Sequence, residues 1–324
     1  MHNIIAITIG DINGIGLEIL INSWKKNKIK KFILFTDIDK LKKFIKKKKI
    51  NIKFNIINRE NNNLHFDYNK VNIFSYNSRS NEENTYKSLK YAYEFCIKKI
   101  CIGIITLPLR KDLIKKKIKK NFIGHTEFFQ KIDKKKYSNM ILFHKKIVIS
   151  TITTHIELKK VSNMISNTVF LTNQIYNLNE TLKIDFNIVK PKMIISGLNP
   201  HAGENGELGN EEKKIIIPIL KKLKKAGIDI HGPVSADSMI IKNNINKYDC
   251  FIYLYHDQAL IPFKYISQFT GVNYTGNLDI IRTSPDHGTA YNLRGSKNIS
   301  DTSFLNCYKL IKRIYKNRII NARS

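Results

Sequence analysis

Acid is scarce in this 324-residue chain: 26 Asp and Glu stand against 56 Lys and Arg, a formal net charge of +30. Cysteine is scarce too. Cys96, Cys101, Cys250 and Cys307 form no CxxC pair and no framework spacing, which excludes a disulfide scaffold and fits reduced thiols in a cytoplasm. No stretch approaches the ~18 apolar residues of a membrane span, and the opening MHNIIAITIGD meets an acid too early to hold a signal-peptide core. HExxH, GxGxxG and a P-loop GK[ST] are all missing, so no short motif announces a metal or nucleotide by itself. The chain is nevertheless long enough for one or two domains, and its 42% hydrophobic content is ordinary for a large core.

So large an excess of base invites nucleic acid. The lysines, however, are spread over predicted helix ends and loops, as in KKFIKKKKI and KKKIKKNF, and gather with aromatics in no single stripe. Their company of Asn and Ile reads as compositional bias on a solvated surface. Specific nucleic-acid recognition is not expected; salt-sensitive binding to polyanions is a side effect of the charge.

Strand and helix patterns alternate throughout. IIAITIG (4–10) is a short apolar run closed by glycine, followed by a helix from Gly16 to about Lys26. KKFILFTD (30–37) and CIGIITLP (101–108) read as strands, with a helix over 81–100 whose first turn is acidic. KMIISGLNP (192–200) is a strand running into a loop, and Asn210 caps a helix that Gly227 stops. CFIYLYHDQ (250–258) is again a strand ending in polar residues, and a last helix runs from about Asp301 to Lys316. The alternation predicts an α/β fold with a largely parallel sheet. In such sheets ligands gather at the carboxyl ends of strands, where GD (10–11), NPHAGE (199–204) and YHDQ (255–258) lie.

Three histidines share that setting. His155 ends VISTITTH, His201 follows IISGLNP, and His256 follows CFIYLY. Three neutral imidazoles leave a divalent ion its charge and keep coordination positions open, a catalytic rather than a structural arrangement. Such an ion acts as a Lewis acid on a hydroxyl or carbonyl oxygen. Asp257, beside His256, and Asp237 in GPVSADS are carboxylates suited to holding imidazole tautomers.

Other strings favour anions. GDINGIGLE (10–18) is a glycine-rich strand-to-helix turn able to aim N–H groups at an anion. FIGHTEFF (122–129) sets His125 and Thr126 at a helix start. Lys264, Asn273 and Arg282 lie in an apolar stretch where cations need an anionic partner. TSPDHGTAYNLRG (283–295) is a Gly- and Thr-rich loop containing His287, suited to nucleotide contact.

In order, GDINGIGLE, TLPLRK (106–111), GHTEF, GLNPHAGE with a trailing GxEE, GPVSADS, YHDQxL and IRTSPDHGTA resemble the signatures of the 4-hydroxythreonine-4-phosphate dehydrogenase family of vitamin B6 synthesis. The likeness runs from residue 4 to about residue 300. It implies a two-domain α/β/α fold of the isocitrate/isopropylmalate dehydrogenase type, with a cleft between the domains, working as a homodimer whose subunits share each active site. On that pattern residues 1–120 with 265–324 form the cofactor side, and 121–264 the metal, substrate and dimerisation side. His155, His201 and His256 would hold one divalent ion (Zn, Mg or Co), and His125, Thr126, Lys264, Asn273 and Arg282 would contact the phosphorylated small-molecule substrate.

The resemblance also implies that the loop with His287, Gly288, Thr289 and Asn292 receives the adenosine end of NAD or NADP. Asn292 and Arg294 replace an acid and an alanine common there; an acid binds ribose hydroxyls, whereas arginine tolerates a 2′-phosphate, so the choice of cofactor stays open. Ile12, Asn13 and Leu17 replace the family's Pro, Ala and Pro in the first turn. The implied reaction oxidises 4-phosphooxy-L-threonine and releases carbon dioxide, giving 3-amino-2-oxopropyl phosphate, with Lys264 orienting charge and Asp257, Asp237 or an ion-bound water as base. A sibling activity on 4-phospho-threonate or 4-phospho-erythronate fits the same strings. A metal-dependent hydrolase would have no use for HGTAYNLRG.

Overall fold

The computed structural model describes residues 3–57, 65–296 and 299–322. From the N-terminus run β1 (Ile5–Thr8), α1 (Gly16–Lys25), β2 (Phe32–Thr36), α2 (Ile38–Lys47), β3 (Phe54–Ile57), β4 (Val71–Ser75), α3 (Asn81–Ile97), β5 (Gly103–Thr106), α4 (Lys111–Lys117) and α5 (His125–Ile132). There follow β6 (Asn139–His144), β7 (Ile147–Thr151), α6 (Val161–Ser166), α7 (Thr168–Ile184), β8 (Met193–Ser196), α8 (Ile217–Lys225), β9 (Ile230–Val234) and α9 (Lys242–Lys247). The chain closes with β10 (Cys250–Tyr253), α10 (His256–Ser267), β11 (Val272–Gly276), β12 (Arg282–Pro285) and α11 (Thr302–Asn321). Among the described residues no helix is long and apolar enough to cross a membrane.

Two compact units result, one of residues 1–129 and 279–315, the other of 130–278 and 316–324. A division after Lys264 would cut α10, and the residues from Lys316 group with the second unit. In the first unit the strands are parallel in the order β3-β4-β2-β1-β5-β12. β1, β2 and β5 are buried at every position, which is why they read as unbroken apolar runs: helices cover both faces of a parallel sheet.

The second unit orders its strands β11-β6-β7-β10-β8-β9, with β6 antiparallel to β11 and β7 and the remaining pairs parallel. Leu142, Ile149, Ile194, Phe251 and Phe263 are central to its core. Parallel pairing of β7, β10 and β8 has a consequence for function. The chain leaves all three at the same edge, carrying His155, His256 and His201 out beyond three adjacent strands.

Three elements differ from the sequence reading. The strand expected over 250–258 stops at Tyr253, because the Gln258 side chain accepts the Leu254 N–H at 2.9 Å, and His256 opens α10 instead. The helix expected from Asn210 begins as a π-helical turn, Glu212–Ile216, ahead of α8; Pro218 lacks the N–H that would bond back one turn. Asn210 contributes its carbonyl, accepting from Lys214 N at 2.8 Å, rather than a side-chain cap. Finally, α11 continues past Lys316 to Asn321, held by Arg318 Nε on Asp185 Oδ1 at 2.6 Å and Asn317 Nδ2 on Asp185 O at 2.7 Å.

Candidate active site

Arg282, first residue of β12, is 2% exposed and carries the largest fully buried side chain. Burying a guanidinium costs several kcal/mol unless its donors are met. Thr106, at the end of β5, meets two of them, accepting from Nε at 3.1 Å and from Nη2 at 2.7 Å. Nη1 reaches Thr126 Oγ1 only at 3.5 Å. Burial pulls the guanidinium down to about 10, opposed by Cys307 and Glu127, so it stays cationic at neutral pH.

His125, at the start of α5, shares this corner. Its buried Nε2 has no hydrogen-bond partner. Burial, and then the charges of Arg282 and Lys111, hold the imidazole well below its usual range, so it is neutral. A methyl on Gly124 would lie 3.0 Å from Glu127 Oε2 and 3.3 Å from Lys111 Nζ, which puts both beside the helix start. Thr106 donates its own proton to Thr283 O at 3.3 Å, so the corner offers an anion two cations, a neutral imidazole, the Thr126 hydroxyl and a helix N-terminus, with the Glu127 carboxylate beside them.

In the same unit, the glycine turn supports the loop that follows β12. Ile15 N donates to Thr289 O at 3.0 Å, and a Cβ on Gly14 would stand 3.0 Å from that oxygen. Gly10 is left-handed (φ +62°), and a Cβ there would lie 2.5 Å from Pro108 O in TLPLRK. The Tyr291 hydroxyl bonds Asp11 Oδ2, while Arg110 pairs with Asp112 at 2.7 Å. Asp11, Asn81, Arg110, Tyr291 and Arg294 line a cavity of about 400 Å³. Arg294 stacks on the Tyr291 ring at 5.1 Å. Gly288 and Asn292 are exposed, and nothing lies within 4 Å of a Cβ built on Gly288. His287 Nδ1 is 3.0 Å from Gly288 O.

The segment carrying His201 is the most strained in the second unit. His201, Ala202, Gly203, Glu204 and Asn205 all have positive φ, between 40° and 82°. A left-handed turn costs a non-glycine residue roughly 1–2 kcal/mol, so something must impose it. Glu212, 3% exposed, does so: its carboxylate accepts Leu198 N at 2.7 Å, Asn199 N at 2.9 Å and Asn199 Nδ2 at 2.9 Å. The glycines admit this brace. A Cβ on Gly203 would sit 2.6 Å from Glu212 Oε2, and one on Gly197 2.7 Å from Ala202 Cα. His201 is left exposed, and its charge, behind a hydrogen bond from Ser235, helps to hold the Asp237 carboxyl below its usual range.

His155 and His256 are brought together, their rings 5.7 Å apart. Asp257 Oδ1 lies 2.6 Å from His256 Nδ1, a carboxylate–imidazole contact of the kind found behind metal-ligating histidines. Among the described residues no three His, Cys, Asp or Glu side chains form a group able to hold an ion. Asn273, in β11, has a buried Oδ1 without a partner, and Lys264 Nζ lies 4.6 Å over the Phe269 ring.

Several residues escaped the sequence reading: Thr106 and Lys111 around Arg282 and His125, Tyr291 and Asp11 beneath the loop, and Glu212 under His201. All stand inside strings already singled out, but their partners are far along the chain, Thr106 and Arg282 being 176 residues apart.

Fold and site define an α/β enzyme with an anion corner, a nucleotide-sized cavity and a histidine pair at strand ends. The family model of pyridoxal phosphate biosynthetic protein PdxA matches residues 28–311. A 4-hydroxythreonine-4-phosphate dehydrogenase of Sulfurihydrogenibium sp. is 35% identical over 311 residues, 92% of this chain and 94% of that protein. The crystal structure of 4-hydroxythreonine-4-phosphate dehydrogenase from Klebsiella pneumoniae superposes with a TM-score of 0.83 at 26% identity, covering 97% of this chain and 98% of that one. A Salmonella typhi protein provisionally named D-threonate 4-phosphate dehydrogenase is 32% identical over 229 residues, 71% of this chain and 69% of that protein. The chain belongs to the pyridoxal phosphate biosynthetic protein PdxA family. It is a dehydrogenase, and its family implies a nicotinamide cofactor.

Proposed function

We propose that the protein oxidises 4-phosphooxy-L-threonine with NAD or NADP and releases carbon dioxide, forming 3-amino-2-oxopropyl phosphate. Arg282 carries the reading: a guanidinium this deeply buried, with hydroxyls and a neutral imidazole around it, is a receptor for an anionic group of the substrate in a family of dehydrogenases. Thr126 and His125 Nε2 offer further hydrogen bonds, while Lys264 and Asn273 hold the substrate's other polar groups. Fixing those groups places the hydroxyl-bearing carbon for reaction.

A bound nicotinamide would supply the hydride acceptor, and a divalent ion at the imidazoles would supply Lewis acidity for loss of the hydroxyl proton and of carbon dioxide. The residues that would hold the ion are His155 and His256 of one subunit with His201 of a second copy. Asp257 fixes the ring of His256; Asp257 and Asp237 are the bases available beside the imidazoles. On the cofactor side His287, Gly288, Thr289 and Asn292 form the receiving loop, and Arg294 beside the cavity suits a 2′-phosphate.

Support for a homodimer comes from exposed apolar side chains on the segments that carry the histidine pair. Ile156 and Leu158 follow His155, and Ile261 and Tyr265 lie one turn apart on α10; they are 42%, 67%, 71% and 80% exposed. Uncovered apolar side chains of this size mark interaction surfaces. The test is direct: purified protein is given 4-phosphooxy-L-threonine, NAD or NADP, and Zn, Mg or Co, and reduced nicotinamide and carbon dioxide are followed together. Equal amounts of both are expected, and no reduction with any pairing would overturn the reading. D-Threonate 4-phosphate is the second substrate to compare, because of the Salmonella typhi relative; faster turnover of it would reassign the substrate and leave the reaction class intact.

A further inference from the structure

Lys111 stands at the first position of α4, at the end of TLPLRK, and the roles proposed above leave it unused. Its ammonium reaches the start of α5: Nζ is 3.3 Å from where a methyl on Gly124 would lie. That glycine keeps the approach open. The same point is 3.0 Å from Glu127 Oε2, so ammonium and carboxylate flank the helix start together. The charge of Lys111 is felt by His125, alongside that of Arg282.

Charges in the corner do not cancel. Arg282 and Lys111 are cations, Glu127 is the acid near them, and His125 is neutral. Thr126 adds a hydroxyl without charge, Thr106 being taken up by Arg282 and Thr283 O, and the N-terminus of α5 adds partial positive charge. A deeply buried guanidinium, an ammonium and uncharged donors, with one flanking carboxylate, leave the corner net positive, and their number suits a phosphoryl group with its several acceptor oxygens. Arginine supplies directed bonds to such a group and lysine an adaptable point charge. His125 Nε2, buried and without a partner, adds one more contact.

We infer that Lys111 is the second cation of the corner and binds the substrate's phosphoryl group together with Arg282. This rests on the reading of Arg282, Thr126 and His125 as the substrate's anion site. It makes Lys111 a determinant of specificity for phosphorylated substrates, without a part in hydride or proton movement.

The experiment measures binding of inorganic phosphate, and of acetate as a carboxylate probe, by calorimetry with the full chain. Wild type is compared with Lys111→Met, Lys111→Gln, Lys111→Arg and Arg282→Met, each checked for an unchanged melting transition. Both neutral variants should weaken phosphate by about tenfold or more, the loss of a charged hydrogen bond, while Lys111→Arg keeps most of the affinity and acetate changes little. KM for 4-phosphooxy-L-threonine should rise in parallel while kcat moves by no more than about twofold, the mark of lost uniform binding. Phosphate affinity that falls in Arg282→Met and holds in both neutral Lys111 variants would overturn the assignment of Lys111 alone. Affinity that holds in all of them would overturn the anion site itself. Acetate weakened as strongly as phosphate would overturn the assignment to the phosphoryl group.

Discussion

His125 ties stability to pH. Its ring is held neutral by burial and by the charges of Arg282 and Lys111, so its folded pKa lies below the unfolded value near 6.5. Above about pH 6.5 the ring is neutral in folded and unfolded chains alike and costs nothing. As pH falls below that, the unfolded chain takes up a proton that the folded one refuses, and stability declines until the depressed folded pKa is passed. His125→Gln removes the titration. Its melting temperature should therefore fall less steeply between about pH 6.5 and 5 than that of wild type, and parallel curves would show that His125 does not titrate this way. The cysteines give a second residue-scale expectation. Cys96, Cys101, Cys250 and Cys307 are all buried, with thiols pushed well above their usual range by burial. None should react with a disulfide reagent at pH 8 until the chain unfolds, whereas rapid labelling of the native protein would contradict their burial.

At the scale of elements, the segment from Gly197 to Glu212 is where sequence and structure diverge most instructively. Gly, Asn and Pro forecast a loop, and the forecast holds. What composition does not reveal is that five successive residues turn left-handed, or that the Glu212 carboxylate braces them by holding Leu198 and Asn199, 14 and 13 residues before it. By contrast, β1, β2 and β5 were legible because burial on both faces demands unbroken apolar runs, and the start of α5 at His125 was legible from its neighbouring glycine and acid. The carboxyl-end rule located the histidines. It did not tell that His256 would begin a helix or that Arg282 would rest on Thr106, since those depend on strand order and not on local pattern. Glu212→Ala tests the brace. It strands the N–H groups of Leu198 and Asn199, a cost on the order of 3 kcal/mol. That is a drop of roughly 6–12 °C in the melting transition of a unit this size. Activity should fall further than stability does, because His201 loses its imposed conformation; wild-type turnover in a stable Glu212→Ala protein would sink the idea.

At the scale of the whole molecule, the proposed ion requires three imidazoles to meet. Within one chain His155 and His256 are paired, and among the described residues no group of three metal-binding side chains forms. Yet β7, β10 and β8 are neighbours and release all three histidines at one edge, and α10, which His256 opens, exposes Ile261 and Tyr265. Two copies joined across that edge would place His201 of one chain by the pair of the other. The proposal has a sharp consequence under twofold symmetry, where each subunit gives and receives. His155→Ala and His201→Ala should each be inactive as pure proteins. Unfolded together and refolded as a mixture, half of the dimers are mixed, and in each of those one site carries both substitutions while the other is intact. Recovery of about a quarter of wild-type activity is expected. If instead each chain builds its own site, every chain in the mixture still lacks one imidazole and activity stays at zero. Tyr265→Lys supplies the complementary test at the same scale, because a charge on the apolar face should yield monomers by light scattering, with turnover lost in step with the dimer.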